Sequence, residues 1–129
     1  MSELLGYLQR LNVRPDPDDL TPSDWTHLQA HFQPGAAEVV VNGEPVIWTH
    51  INEIEVVKAA RERGPAGWLV RQMLGEDRYH VGIYFGHYEV VLPNVSLKSA
   101  EYVVRSIAFY APQQVRYKGV PGLSPIANE

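Results

Sequence analysis

Two histidines of this chain, His27 and His31, lie four residues apart, the spacing at which one helix face can present two imidazoles to a metal ion. In the zinc-hydrolase motif a glutamate follows the first histidine, whereas here the next residue is Leu28. No third ligand lies close in the sequence. We therefore predict that these histidines are exposed on a helix and bind no metal, and we expect no cofactor.

Acidic segments can bind calcium, and four aspartates stand close together before the first histidine: Asp16, Asp18, Asp19 and Asp24. An EF-hand loop counted from the first of them would need glycine at its sixth position and glutamate at its twelfth. The chain has Thr21 and His27 there. The calcium motif therefore fails, and the alternating prolines and aspartates predict an extended, solvated connector.

Acid–base chemistry requires a histidine and a carboxylate that meet in one cleft. Six such residues lie in the middle of the chain: His50, Glu53, Glu55, His80, His87 and Glu89. An enzyme built on His80, His87 and Glu89 is one hypothesis. The chain has neither a Gly-x-Ser-x-Gly motif nor a glycine-rich phosphate loop that follows a strand and opens a helix. We therefore favour a protein without catalytic activity.

Basic residues flank the Gly64-Pro65 loop and could bind an anion through bidentate arginine contacts: Lys58, Arg61, Arg63 and Arg71. If the loop joins two strands, these side chains crowd one end of a sheet, where Glu62 partly offsets their charge. The alternative function is therefore the binding of an anionic small ligand or lipid headgroup at the Arg61/Arg63 loop.

The clearest folding signal lies in residues 79–111. Large apolar residues alternate with smaller or more polar ones from Tyr79 to Phe85, which is typical of a half-buried strand. Gly86-His87 suits a two-residue hairpin loop that leads into a second strand. A long helix follows, with Ser96 as its N-cap and Pro112 at its end.

That helix carries two faces. Its broad apolar face is predicted to close the core: Leu97, Ala100, Val103, Val104, Ile107 and Ala111. Tyr102 and Phe109 point elsewhere, beside Lys98 and Arg105, and such a mixture has the composition of an interface centre. We expect these four residues to bind another protein or a second copy of the chain. The alternative is that an N-terminal helix covers the aromatic pair within the same chain.

The first 35 residues read as helical. Leu4, Leu8 and Leu11 recur at helical spacing, which predicts a short helix over residues 2–11. A second helix is predicted to begin at Thr21-Pro22, with Asp24 in its first turn. That helix would present Trp25, Leu28 and Phe32 on one face and end before Pro34-Gly35.

The middle of the chain reads as strands. Asn42-Gly43 between apolar runs predicts a tight hairpin. Residues 52–74 are ambiguous, because β-branched residues favour two strands whereas the composition around KAARER favours helices. We favour the strands. After the long helix, residues 115–118 are predicted to form a short extended segment, and the final VPGLSPIANE a surface tail.

Composition sets the class of protein. The chain has 129 residues, 45% of them apolar, so one domain with one core is expected. A net charge of −4 gives no general attraction to nucleic acid, and no apolar run approaches the length of a membrane span. The chain has no cysteine and no signal peptide pattern, which favours the cytoplasm.

The order of these elements resembles the pleckstrin-homology-like domains of bacterial proteins. The resemblance rests on the hairpin VVVNGEPVIW, the strand over residues 51–57, the paired strands RYHVGIYFGHYEVVLPN, and the helix from Leu97. It implies an α+β fold, with an antiparallel sheet or partly open β-barrel closed by a C-terminal helix. Only six strands can be counted, whereas that fold has seven.

The resemblance also implies a non-enzymatic scaffold that binds proteins. Lipid-binding members of that family carry basic residues around the loop joining the first two strands, but the matching loop here is Asn42-Gly43-Glu44-Pro45, so phosphoinositide binding is not implied. We expect a single domain over residues 1–129. It would comprise a helical extension (1–35), a pleckstrin-homology-like core (36–111) and a C-terminal tail (112–129).

Overall fold

The computed structural model of the protein describes residues 4–59, 77–123 and 125–128, and these residues form an α+β fold, as predicted. The elements follow one another as β1 (Leu4–Leu8), α1 (Pro22–Gln29), β2 (Phe32–Pro34), β3 (Glu38–Val41), β4 (Glu44–Ile47), β5 (Ile51–Lys58), β6 (Tyr79–Phe85), β7 (Tyr88–Val95), α2 (Leu97–Tyr110), β8 (Arg116–Gly119) and β9 (Ile126–Asn128). Short 3-10 helices cover Pro17–Asp19 and Trp48–His50.

The described strands form two sheets. The large sheet has the order β7-β6-β5-β8-β1-β9, and the small sheet has the order β2-β3-β4. Every neighbouring pair is antiparallel except β5 and β8, which are parallel. The expectation of an antiparallel sheet or partly open barrel is therefore wrong: the large sheet is mixed, and the described strands do not close into a barrel.

Glycine permits the parallel contact between β5 and β8. Gly119 has a φ of 145° and lies opposite Val56. A Cβ atom at this glycine would stand 2.2 Å from the carbonyl oxygen of Val56. Any other residue would push the two strands apart, so this position joins the C-terminal part of the large sheet to its centre.

Both predicted hairpins are confirmed. The turn between β6 and β7 has Gly86 at a φ of 64°, and the turn between β3 and β4 has Asn42 and Gly43 at 51° and 82°. Positive φ at these positions is what glycine and asparagine tolerate best. The first strand of the ambiguous segment is also confirmed, as β5. Its predicted second strand lies outside the described residues.

The long helix is confirmed as α2. Ser96 is its N-cap, and the Ser96 hydroxyl accepts a hydrogen bond from the Ser99 amide. The predicted apolar face is buried except at Leu97, and it packs on one face of the large sheet. The sheet residues in this core include Ile54, Val81 and Ile83, all of them fully buried. Burial of these aliphatic side chains supplies the main driving force for folding.

The predicted N-terminal helix is wrong. Residues 4–8 form strand β1, which pairs with β8 and β9. Leu4 and Leu8 fit a period of two as well as a helical period, and Gly6 between them disfavours a helix. Pairing with two strands from the far end of the chain decides in favour of the strand.

The predicted C-terminal tail is also wrong, although the extended segment at 115–118 is confirmed by β8. β9 is the edge strand beside β1, and Leu123 is only 5% exposed. Because β1, β8 and β9 all belong to the large sheet, the expected division into a helical extension, a core and a tail does not hold.

Helix α1 begins as predicted, with the Thr21 hydroxyl accepting a hydrogen bond from the Asp24 amide. It ends earlier than predicted, at Gln29, because the His31 amide donates to the Leu28 carbonyl in a tighter turn. Phe32 therefore lies in β2, where it is buried.

Candidate functional site

The face of the large sheet opposite α2 carries exposed and half-exposed side chains from five strands. Pairing register aligns them in two rows across the sheet. The first row, from β7 to β1, contains Glu89, Tyr84, Glu53, Arg116 and Tyr7. The second row contains Val91, Gly82, Glu55, Lys118 and Leu5. We call this surface the outer face.

A phenol between two carboxylates organises the acidic half of the outer face. The hydroxyl of Tyr84 donates to Oε1 of Glu55 over 3.0 Å. Hydrogen bonding to Glu89, burial and hydrogen bonding to Glu55 together raise the pKa of Tyr84 well above its usual range. Since a phenol has one proton, it donates to one carboxylate at a time and keeps both nearby.

Gly82 gives this cluster its space. A Cβ atom built on Gly82 would lie 3.0 Å from Oε2 of Glu89 and 3.7 Å from the hydroxyl of Tyr84. A side chain at this position would therefore crowd the carboxylate and the phenol that meet above the strand.

Charge is divided across the outer face. The carboxylates come from β5 and β7, whereas the cations come from the neighbouring strand β8. Where the halves meet, Nζ of Lys118 lies 3.9 Å from Oε2 of Glu55. Exposed apolar side chains stand at the two ends of the second row, with Leu5 41% and Val91 39% exposed. The surface is thus an acidic strip beside a basic strip, between apolar ends.

The predicted interaction surface on α2 is arranged differently from the prediction. Tyr102 is only 9% exposed, and its ring packs edge-on against Trp25 of α1 at a centroid distance of 6.0 Å. Burial is the main cause that raises the pKa of Tyr102. The prediction that this aromatic side chain is exposed is wrong, and so is the alternative that an N-terminal helix covers it.

Of the other three predicted residues of that surface, only Phe109 lies apart from Tyr102. Phe109 is half-buried and contacts Tyr110 edge-on at 4.9 Å, and Tyr110 stacks on Trp48 at 4.7 Å. Lys98 and Arg105 instead line a groove of about 290 Å³ between α2 and the connector, together with Tyr102. Nε of Arg105 is buried there without a hydrogen-bond partner among the described residues. The four residues therefore do not form one stripe.

The residues predicted for acid–base chemistry do not converge. His80 lies on β6, where its Nδ1 accepts a hydrogen bond from the Asn94 amide over 3.2 Å. Glu89 pairs in register with Tyr84, four residues further along β6, which separates it from His80 by roughly 13 Å along the strand. His87 is exposed in the turn. This geometry offers no shared cleft for the three side chains.

Of the predicted anion-binding residues, only Lys58 lies in the described part of the chain, where its Nζ pairs with Oδ2 of Asp77 over 2.9 Å. Arg61, Arg63 and Arg71 lie outside the described residues.

Two of the four aspartates of the acidic connector accept hydrogen bonds within the fold. Asp16 caps the 3-10 helix at Pro17–Asp19, and Oδ2 of Asp24 accepts a hydrogen bond from the Ser96 hydroxyl.

His27 and His31 are both exposed, as predicted, and their rings lie 5.2 Å apart between centroids. His31 contacts the side chain of Asn42, from the turn of the small sheet. His31 therefore contacts both the His27 ring and a residue of the small sheet that is eleven positions away in the sequence.

Comparison of the chain with protein-family models, with curated proteins and with solved structures finds no match. Within the described residues, neither helix has the length and apolar character required to cross a lipid bilayer.

Most of the outer face is not evident in the sequence. The sequence indicates Glu53, Glu55 and Glu89 only as general acid–base candidates, and Tyr84 only as part of an alternating strand. The alternation in β5 and β6 was a usable signal, because it assigns these residues to the face opposite the core. What the sequence lacks is the lateral register that brings β8 beside β5.

Proposed function

We propose that this protein is a non-enzymatic interaction module that binds a protein surface through the outer face. The observation that carries the proposal is the pair of registered rows, in which tyrosine, arginine and carboxylate side chains from five strands share one surface. Tyrosine and arginine are enriched among the residues that contribute most of the binding free energy at protein interfaces. A sheet holds these side chains in fixed relative positions, which lowers the entropy lost on binding.

The chemistry of this face favours a protein over other partners. Its three carboxylates outnumber its two cations, so it would repel nucleic acid phosphates and anionic headgroups. A small ligand needs a concave site that buries most of its surface, whereas the rows spread across five strands. An acidic strip beside a basic strip, between apolar ends, suits a partner with the opposite pattern.

A second copy of the chain has that pattern. A twofold axis parallel to the strands, between β5 and β8, would set Glu53 of one copy opposite Arg116 of the other. The same operation sets Glu55 opposite Lys118 and Tyr84 opposite Tyr7. Every charge in the middle of the face then meets its opposite, which is the self-complementarity that an isologous dimer requires.

The expected association is weak. The two rows span five strands at about 4.8 Å spacing, or roughly 19 Å, which places the contact at the lower end of specific interface sizes. Exposed charge pairs also contribute only about 0.2–1 kcal/mol each. We therefore propose a reversible dimer that forms with increasing concentration.

Two further observations agree with this proposal. The order of elements in residues 36–111 resembles pleckstrin-homology-like domains, a scaffold that binds proteins, although the mixed sheet departs from that fold. The absence of cysteine agrees with a reducing compartment such as the cytoplasm.

A charge-exchange experiment tests the proposal. Arg116→Glu with Lys118→Glu makes the outer face acidic, and Glu53→Lys with Glu55→Lys makes it predominantly basic. In sedimentation equilibrium at low salt, we expect the native mass to rise from 14.5 kDa towards twice that value with concentration. Each variant alone should remain monomeric, because like charges then face each other, whereas an equimolar mixture of the two should associate.

The matched control reverses two cations elsewhere, in Arg14→Glu with Lys98→Glu, beside the groove on α2. This control should associate as the native chain does. If the control does not associate and the outer-face variants do, the interface lies at α2 and not on the outer face. A native chain that stays monomeric at millimolar concentration and low salt, or a mixture that does not associate, would overturn the proposed dimer. Circular dichroism checks that each variant is folded.

A further inference from the structure

A groove of about 190 Å³ lies between the end of α1, the β3–β4 turn and the end of β7. His27 and His31 form one wall, with Asn42 and Asn94 beside them. The groove begins beside Val91, at one end of the second row of the outer face, but its lining residues belong to neither row and the proposed function makes no use of it. Its polar side chains are nevertheless held in a defined arrangement.

A chain of hydrogen bonds fixes the tautomer of His31. The Val91 carbonyl can only accept, so the group that contacts it at 2.7 Å must be the Asn42 amide nitrogen, Nδ2. The other end of the amide, Oδ1, therefore faces Nδ1 of His31 at 2.8 Å. Because Oδ1 can only accept, Nδ1 carries the proton. In the neutral imidazole the lone pair then lies on Nε2.

The backbone holds Asn42 in place for this contact. The φ of 51° at Asn42 belongs to the tight turn of the small sheet. The backbone amide of Asn42 donates a hydrogen bond to the His31 carbonyl over 2.9 Å. Asn42 is thus fixed to His31 by backbone and side chain, and to β7 by the Val91 carbonyl. Histidine ligands of metals are oriented in this way, through a hydrogen bond from the ring nitrogen that does not bind the metal.

The spacing of the two rings also fits one ion. A zinc ion lies about 2.0–2.1 Å from a histidine nitrogen, and therefore about 3.2 Å from the ring centre. At a tetrahedral angle of about 109°, two such rings have centroids roughly 5.2 Å apart. The centroids of His27 and His31 are 5.2 Å apart.

We propose that His27 and His31 bind one zinc ion through their imidazoles, with Asn42 as the positioning residue that presents Nε2 of His31. This reverses the expectation from the sequence, where only the spacing of the histidines was visible. Within the described residues no group of three or more histidine, cysteine, aspartate or glutamate side chains could hold a metal. Water is left to complete the coordination, so the ion exchanges readily and remains open to an added ligand.

Calorimetric titration of zinc chloride into the untagged full-length chain tests this site. We expect one ion per chain, and at least about a 10-fold loss of affinity in His27→Ala and in His31→Ala. Asn42→Gly keeps a residue that tolerates the turn but removes the amide, and we expect a loss of about 10-fold. The controls His50→Ala and His87→Ala each remove an exposed histidine elsewhere and should change the affinity by less than about twofold.

Nitrogen-15 spectra of the imidazoles give a readout that a purely structural role would not move. Without zinc, His31 should be in the Nδ1–H tautomer in the native chain and lose that preference in Asn42→Gly. Zinc should then shift Nε2 of both histidines. Should His27→Ala or His31→Ala fail to fold, glutamine at the same position replaces it.

Equal zinc affinity in the native chain and both histidine variants would overturn the site, as would an Nε2–H tautomer of His31. The outer-face charge variants should bind zinc as the native chain does, because the two sites are separate. Failure of the zinc site would therefore leave the proposed dimer standing, and the reverse holds as well.

Discussion

In β6, Val81 and Ile83 lie in the core beneath α2, whereas the residues between and after them, Gly82 and Tyr84, lie on the outer face. The two faces thus use alternate residues of the same strand. β5 repeats the pattern, with Ile54 in the core and Glu55 on the outer face. One backbone register therefore supports two surfaces of different chemistry.

Stability and recognition are separated between the two faces of the large sheet. The inner face is aliphatic and dry, so its contribution is the free energy of apolar burial. The outer face keeps its charges in water, where they add little to the free energy of unfolding but determine which surface can approach. Substitutions on the two faces should therefore affect different measurements.

The largest expected effect is on the inner face. Ile83→Ala removes a fully buried side chain and leaves a cavity, so it should lower the free energy of unfolding by about 3 kcal/mol. Urea denaturation followed by circular dichroism measures this loss. Val91→Ala, on the outer face of the adjacent strand, should cost less than about 0.5 kcal/mol. Equal costs would contradict the division of the sheet into two roles.

A smaller effect is expected at a polar contact on the inner side of the sheet. Tyr117 is fully buried, and its hydroxyl donates to the Val120 carbonyl over 2.7 Å. Tyr117→Phe should lower the free energy of unfolding by about 1 kcal/mol, since the carbonyl loses its partner while the ring still fills its place. The same denaturation measurement applies. An unchanged free energy of unfolding would mean that water replaces the hydroxyl as the hydrogen-bond partner of the Val120 carbonyl.

Local signals predicted the elements whose geometry depends on a few neighbouring residues. Asn42-Gly43 and Gly86-His87 specify hairpin turns because their backbone angles are positive, and Ser96 specifies the start of α2 because its hydroxyl caps the first turn. Each signal acts within four residues. No long-range partner is needed to interpret it.

Elements that depend on distant partners were not predictable in this way. Leu4 and Leu8 fit a helix and a strand equally, and only pairing with residues 116–119 and 126–128 makes them a strand. The outer face has the same origin, because Glu53 meets Arg116 through a parallel pairing across more than sixty residues of sequence. The zinc site likewise needs Asn42, which the sequence indicated only as a turn residue.

The smallest expected effect on stability is on the outer face, at Tyr84. Its pKa is raised by the hydrogen bond to Glu89, by burial and by the hydrogen bond to Glu55, so the folded chain keeps this proton at a pH where the unfolded chain loses it. Stability from this group is therefore complete below the unfolded pKa of about 10 and falls as the pH rises above it.

Tyr84→Phe removes that proton and should leave the free energy of unfolding at neutral pH nearly unchanged, because the phenol is partly exposed. Above about pH 10 the variant should lose stability less steeply than the native chain. Ultraviolet titration of tyrosinate should show one fewer late-titrating phenol, while Tyr102 and Tyr117, whose pKa values burial raises, remain late in both proteins. Tyr7→Phe, from the same row, is the control and should leave the late-titrating signal of Tyr84 in place. If Tyr84→Phe instead unfolds the chain at neutral pH, the outer face contributes to stability as the inner face does, and the separation of the two roles fails.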